Sequence, residues 1–299
     1  MELRQIQYFL AVADTGNMTR AAEVLHVSQP ALSQALKSLE DTLGQSLFKR
    51  SRFGAELTAH GKQFRHHALR IMHAVHDAED DMGLRTTGQD LRVGVLPTLA
   101  HDYIPTVLRQ FLIEHDNLSL HLTESHTQGL VRQVLTGELH LAVIDLPVSE
   151  SALNVAPLWR ERLVFVSSPS LVVASLNMSV SDLSPMPFIT MEPGYGLRDA
   201  LYGVTLAQGF QPWVLLELTS LNAVTGFVHA GFGITLLPER SVISDVHEGR
   251  LKILPVRPES TRHIGVIWRA GRRLPGAAEL FRDRLVRDLP QLARDNTPS

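Results

Sequence analysis

The sequence has no cysteine. Disulfides, thiolate-ligated zinc and a thiol nucleophile are therefore excluded, and the composition suits a reducing compartment. It also lacks any apolar run approaching the roughly 20 residues that span a bilayer. The opening Met1-Glu2-Leu3-Arg4-Gln5 has neither the apolar core nor the small-residue cleavage site of a secretion signal, so a cytoplasmic protein with no membrane partner is expected. Charge of one sign is scarce: the net value is −3, and any surface that binds nucleic acid must be a local basic patch. Enzyme signatures are missing as well. There is no Gly-rich nucleotide loop between strand and helix, no Gly-x-Ser-x-Gly elbow and no two-His-one-Glu metal helix. The pairs His101/Asp102 and His115/Asp116 are sequence neighbours, whose side chains diverge on a helix. No catalytic residue, metal or cofactor is expected.

What is present is enough apolar material, 44% of 299 residues, for about two domains with cores of their own. Ile6, Phe9, Leu10 and Ala13 recur at helical spacing and end near Thr15-Gly16. Asn17 is placed to cap a second helix with a stripe of Met18, Ala21, Ala22 and Leu25. After a break at His26-Val27, Ser28 can cap a third helix, with Pro30 in its first turn where a missing N–H costs little. That helix turns Leu32, Ala35, Leu36, Leu39 and Leu43 inward and Gln29, Ser33, Gln34 and Lys37 outward. Two short helices joined by a tight turn, the second opening on a polar face, suit entry into the DNA major groove. Gln matches adenine, Ser can bond base edges, and Lys37 can reach a phosphate. The stretch 47–57 reads as two short strands with a basic turn, a wing that sets Lys49, Arg50 and Arg52 against the duplex. Leu57, Gly61, Phe64, Ala68, Ile71, Val75, Ala78 and Met82 then mark a heptad seam along a long helix. The seam predicts a dimer through residues 58–82; the alternative is that it packs only on its own domain. His60, His66, His67, His73 and His76 point several ways around this helix and read as solvated residues rather than a metal site.

Taken together, Leu3 to Ala13, Thr19 to Ser33, Leu39-Glu40, Leu43-Gly44, Leu47 to Arg50, Leu57-Thr58 and Gly61 resemble the signature of LysR-type transcriptional regulators. The resemblance implies an N-terminal winged helix-turn-helix (1–58), a linker helix and hinge (59–88) and a two-lobed α/β effector domain (89–299) similar to type II periplasmic binding proteins. It implies double-stranded promoter DNA, a small-molecule effector and RNA polymerase as partners, and assembly as a homotetramer. It adds Thr19, Arg20 and Ser28 to Gln29, Pro30, Ser33, Gln34, Lys37, Lys49, Arg50 and Arg52 as the DNA-binding set. Gln34 stands where many members have Arg or Lys, and Phe53 stands at a wing-tip position that is often basic.

Past a polar hinge at 85–90, strand and helix alternate. Strands are predicted at 91–96, 118–123, 139–144, 163–166, 187–190, 213–218, 234–237 and 264–268. Helices are predicted at 101–115 and 128–137, from about Leu197, from about Ser220 to Ala230, and from Pro275. The resemblance implies that the chain crosses between lobes near Arg162 and near Arg262, giving lobe I 89–162 with 263–299 and lobe II 163–262. Ligands in such sheets sit at the carboxyl ends of strands, where helix N-termini offer free N–H groups. That places Pro97, Thr98, Ser125, His126 and Thr127 on one side of a cleft. Gly194, Tyr195, Thr219, Ser220 and Asn222 face them, with Arg198 nearby. Hydroxyls beside helix N-termini favour a carboxylate or another small anion. The competing reading is that Thr98, Thr127 and Ser220 are only helix caps. Two further function classes are an enzyme, which the missing motifs disfavour, and a plain solute-binding protein, which leaves the first ninety residues unexplained.

Overall fold

The computed structural model describes residues 1–51, 54–82, 89–171 and 177–295, and its chain separates into the units Met1–Thr86 and Thr87–Ser299. Arg52, Phe53 and the expected hinge at 83–88 lie outside the described residues, as does the side chain of Arg50.

In the first unit, helices α1 (Leu3–Thr15), α2 (Met18–Val24) and α3 (Gln29–Leu43) are followed by strands β1 (Phe48–Ser51) and β2 (Gly54–Leu57) and by α4 (Ala59–Asp81). Asn17 caps α2, accepting from the N–H groups of Thr19 at 2.9 Å and Arg20 at 3.1 Å. The turn into α3 carries His26 at φ 53°, a left-handed conformation that L-residues adopt at some cost. Phe9 is fully buried between Phe48 at 5.2 Å and Phe64 at 4.9 Å. One ring thus joins α1, the wing and α4, in tilted and edge contacts that add to simple burial. The wing is pinned from below: Glu40 Oε1 accepts from the N–H groups of Leu47 at 2.6 Å and Phe48 at 3.2 Å. Gly61 lies so close to the chain entering β1 that a Cβ there would collide with the Leu47 carbonyl oxygen.

The expected seam on α4 divides. Ala68 is buried, and Phe64 and Ile71 pack on the core of their own unit, whereas Ala78 and Met82 are exposed, Met82 by 74%. The first half of the stripe is consumed locally because α4 packs against α1, so only its far end is left uncovered.

The second unit runs β3 (Gln89–Val95), α5 (Pro97–Asp102), α6 (Ile104–Glu114), β4 (Leu118–Glu124), α7 (Thr127–Thr136), β5 (Leu141–Leu146) and β6 (Leu153–Ser167). It continues through β7 (Met178–Ser179), a short 3-10 turn (Val180–Leu183), β8 (Pro187–Met191), α8 (Gly196–Leu206), β9 (Trp213–Leu218) and α9 (Leu221–His229). It ends with β10 (Ile234–Pro238), α10 (Glu239–His247), β11 (Lys252–Ile253), β12 (Val256–Arg257), β13 (Ser260–Arg269) and α11 (Gly276–Asp295). One sheet orders as β4-β3-β5-β13-β6-β10-β8-β9, with β11 beside β6. Its flanks are parallel, and β13 and β6 run antiparallel through the middle. Two separate apolar cores form. One contains Val93, Phe111, Val143, Ile264 and Phe281, the other Val166, Phe188, Val224 and Leu236. The strands β6 and β13 pass from one core to the other side by side, with Arg162 opposite Thr261 and Glu161 opposite Arg262. Each lobe sets its strands in the order second, first, third, so their carboxyl ends open onto one shared crevice.

The single helix expected over 101–115 is instead two, broken at Tyr103 (φ −123°, ψ −45°). Pro105 has no N–H to continue a helix from above, and it occupies the first turn of α6. The strand expected at 163–166 is the tail of the 15-residue β6. Its first part is mostly exposed or half-buried and carries Pro157, Arg160, Glu161 and Arg162, which hid it; Pro157 faces Gly265 at an irregularity in the pairing, a position where proline is tolerated. The helix α10 had no counterpart in the sequence reading.

Replacing Glu40 by Ala removes a charged acceptor from two backbone N–H groups. It should lower stability by about 2 to 3 kcal/mol in urea unfolding followed at the first unit, and Glu40→Gln, which keeps an acceptor oxygen, should lose less than half of that.

Candidate functional site

In the first unit the α3 N-terminus is the polar surface. Ser28 Oγ accepts from Ala31 N–H at 3.4 Å, so this predicted DNA-contacting hydroxyl is also the cap that starts the helix. Gln29, Pro30, Gln34 and Lys37 are exposed and Ser33 is half-buried. Among the described residues, none of the Gln29, Ser33, Gln34 and Lys37 side chains is drawn into a hydrogen bond or ion pair. Thr19 and Arg20 stand exposed on α2. Lys49 is less free than expected: it faces Glu56 across the wing, with Nζ 2.9 Å from Oε2. Both side chains are solvated, so the pair is weak and can be exchanged for a phosphate.

In the second unit the cleft residues divide between two chambers. One, of about 730 Å³, is lined by Pro97, Thr98, Ser125, Tyr195, Thr219, Ser220 and Asn222. The other, of about 790 Å³, takes Thr127 and Gly194. The expected single set is thus split, and the cause is His126. Its ring lies 5.7 Å from that of Tyr195 and would be 3.2 Å from a Cβ on Gly194, so the two rings bar the cleft from lobe to lobe. A third cavity of about 20 Å³ against Thr98, Tyr195 and Arg262 has room for one water.

The capping alternative fails for the three hydroxyls named. The helix α7 is capped by His126, whose Nδ1 accepts from Gly129 N–H at 3.1 Å, leaving that nitrogen without a proton. Ser220 makes no side-chain cap to α9, and α5 starts from Leu96 with no side-chain cap. Thr127 Oγ1 is buried without a partner. Thr98 Oγ1 accepts from Arg262 Nη2 at 2.8 Å and keeps its own proton to donate.

Arg262 is the residue the sequence reading missed as a site component, having marked it only as a crossing point. It is buried where β13 meets β6. Its Nε donates to Glu161 Oε2 at 2.7 Å, with Nη2 2.5 Å from the same oxygen, and its Nη1 faces Asp145 Oδ1 at 3.2 Å. Tyr103 donates to the other Glu161 oxygen at 3.1 Å. From lobe II, the Arg240 guanidinium covers the Tyr103 ring at 5.0 Å, and Ser241 donates to Asp102 at 2.7 Å. Asp145 Oδ2 lies against the start of α8 so closely that Gly196 has no room for a Cβ.

Burial raises the Asp145 pKa above the usual carboxylate range; Arg262 opposes the rise, and the charges of Glu161 and Asp199 add to it. Burial likewise raises Asp102, against the Ser241 bond and the charge of His101. Burial and the Glu161 carboxylate together keep the Tyr103 hydroxyl protonated. Burial works against the charge on Arg262, but Asp145 and Glu161 outweigh it and hold its pKa above the ordinary value.

Residues 85–290 match the family described as LysR substrate binding domain, and residues 3–62 match bacterial regulatory helix-turn-helix protein, lysR family. The chain belongs to the LysR family. Its members are DNA-binding transcriptional regulators with an effector-binding domain, not enzymes. The chain is 29% identical over 297 residues to the hydrogen peroxide-inducible genes activator of Dickeya chrysanthemi, covering 98% of this chain and 97% of that protein. A full-length OxyR from Pseudomonas aeruginosa superposes with a TM-score of 0.70 at 26% identity, over 100% of this chain and 98% of that one. Full-length CbnR in complex with its target DNA shares the fold, with a TM-score of 0.69 at 24% identity over 99% and 100% of the two chains. As in the sequence expectation, this LysR-family chain joins a helix-turn-helix unit to a two-lobed α/β unit. Among the described residues no helix is long and apolar enough to cross a membrane.

Because folding raises the Asp145 pKa, the native state holds that proton to higher pH than the unfolded chain does. Its contribution to stability is therefore full below the ordinary carboxylate range and is withdrawn as pH rises through the native value. Asp145→Asn should melt no lower than the parent at pH 8 and lose less stability over the pH interval just above that range, as read by thermal melts across pH; Asp102 retains part of the slope.

Proposed function

We propose that two copies pair through the exposed end of α4 and present two α3 helices to successive major grooves of a promoter, and that two such dimers assemble as a tetramer. The observation that supports this reading most is the set of uncommitted donors on one face of α3: Gln29, Gln34 and Lys37. Gln29 and Gln34 have the geometry to read adenine, with Ser33 beside them, while Lys37, Arg20, Thr19 and the wing set the register on phosphates. Pro30 places the helix start close to the backbone of the duplex.

The effector sits in the chamber of Thr98, Ser125, Thr219 and Ser220. The α9 N-terminus has no side-chain cap and favours an anionic end. Glu124, Asp102 and Asp245 line the same chamber, with Arg250 held by Asp245 at 2.7 Å, and disfavour a ligand that is only anionic. A small carboxylic acid that also carries amino or hydroxyl donors satisfies both ends. With no cysteine, the chain has no thiol for a peroxide to oxidise. Occupancy favours one arrangement of the lobes, and the dimers then meet the promoter, and RNA polymerase upon it, differently.

Gel-shift titrations on DNA upstream of the chain's own gene test the DNA reading; no retarded band at low salt from a folded dimer would end it. Gln29→Ala should weaken binding about 10- to 100-fold, mainly on sites with the preferred adenine. Lys37→Ala should weaken all sites alike and flatten the log–log salt dependence by about 2 for a dimer. In thermal-shift assays, one or more small amino or hydroxy acids should raise the melting temperature, with plain alkyl carboxylates inert and Ser220→Ala reducing the response. Equal responses to plain carboxylates would overturn the donor requirement.

A further inference from the structure

The second chamber of the cleft has no role in the effector reading, yet its size, about 790 Å³, is that of small-molecule sites. Val131 and Leu135 of α7, Leu146 and Val148 after β5, and Ala200 of α8 give it apolar walls. Asp145 and Arg262 lie at its base. The charges there do not balance. Arg262 directs two nitrogens at Glu161, at 2.7 and 2.5 Å, and only one at Asp145, at 3.2 Å, so most of its compensation goes outside the chamber. Asp199, in the first turn of α8, lines the same space, is exposed and has no ion pair among the described residues. At the rim, exposed Arg132 and Glu150 offset one another, and exposed His263 adds no full charge when neutral. What is left is a local excess of carboxylate beside an apolar wall. Burial is the main reason the Asp145 pKa is raised, and the charges of Glu161 and Asp199 add to it.

We propose that this chamber binds a small organic cation with an apolar body, of the arylalkylamine class. Its ammonium group sits between Asp145 and Asp199, and its ring lies against Val131, Leu135 and Val148. An ammonium in that position supplies the charge that Arg262 gives to Glu161, and the half-buried aliphatic wall takes the ring out of water. Thr127 Oγ1, buried without a partner at the chamber's edge, can accept one of the ammonium protons. The walls come from both lobes, α7 and β5 from one and α8 from the other. Occupancy therefore biases the lobes independently of the acid in the chamber beyond His126 and Tyr195, and the chain has two inputs of opposite charge.

The test uses the full chain and phenethylamine, with phenylacetate as a probe of similar shape and opposite charge. Titration calorimetry near pH 7.5 should detect phenethylamine and not phenylacetate. Asp145→Asn should weaken phenethylamine at least 10-fold, Ala200→Trp, which fills the chamber, should abolish binding, and Ser220→Ala in the other chamber should leave it unchanged. Should Ala200→Trp fail to fold, Asp199→Ala replaces it, with a loss of at least 5-fold expected. Absence of phenethylamine binding up to about 10 mM, equal binding of phenylacetate, or full affinity in Asp145→Asn would each overturn the proposal. Loss of the acid response in Ser220→Ala with phenethylamine binding intact supports two separate sites.

Discussion

A buried guanidinium is tolerable only where carboxylates and hydroxyls surround it, and in this chain that requirement falls at the line where the two lobes share strands. Arg262 reaches β6 through Glu161, β5 through Asp145 and α5 through Thr98. Tyr103, Arg240 and Ser241 extend the connection into lobe II. Of these contacts, those that reach lobe II are the Arg240 guanidinium over Tyr103 and the Ser241 bond to Asp102, so a shift of the lobes acts on them first.

The parts of the fold that carry local signals were legible in the residues. Asn17 and Ser28 as caps, Pro30 in a first turn, and the strands at 187–190, 213–218 and 234–237 depend on near neighbours alone. What escaped depends on contacts distant in sequence. Half of β6 looks like a polar loop because it crosses between two cores, where its burial pattern changes along one strand. Periodicity continues the helix through Tyr103, whose hydroxyl instead bonds Glu161, 58 residues away, while Pro105 opens the next helix. The sequence implies one pocket because nothing in it reveals that the rings of His126 and Tyr195 meet across the cleft. Helix α10 was not anticipated, so Ser241 and Asp245 were absent from the expected site.

The cleft also illustrates how hydroxyls divide between structure and ligand. In α2 and α3 the first-turn N–H groups are satisfied by Asn17 and Ser28, as isolated helix starts require. At α9 no side chain does so, and at α7 a histidine does, which leaves the neighbouring hydroxyls uncommitted. The hydroxyls that ordinary helices use as caps thus stay available beside these helix starts.

The close approach of Gly61 to the Leu47 carbonyl has a geometric corollary. With no space for even a methyl group, the first turn of α4 cannot pivot over the wing, so the reading head and the first half of α4 move as one rigid lever. Were two copies joined at the far end of α4, the span between their wings would be set by a length of helix rather than by a flexible joint. Operators whose half-sites lie at other spacings would then have to bend to fit, and DNA curvature would become part of what the protein selects.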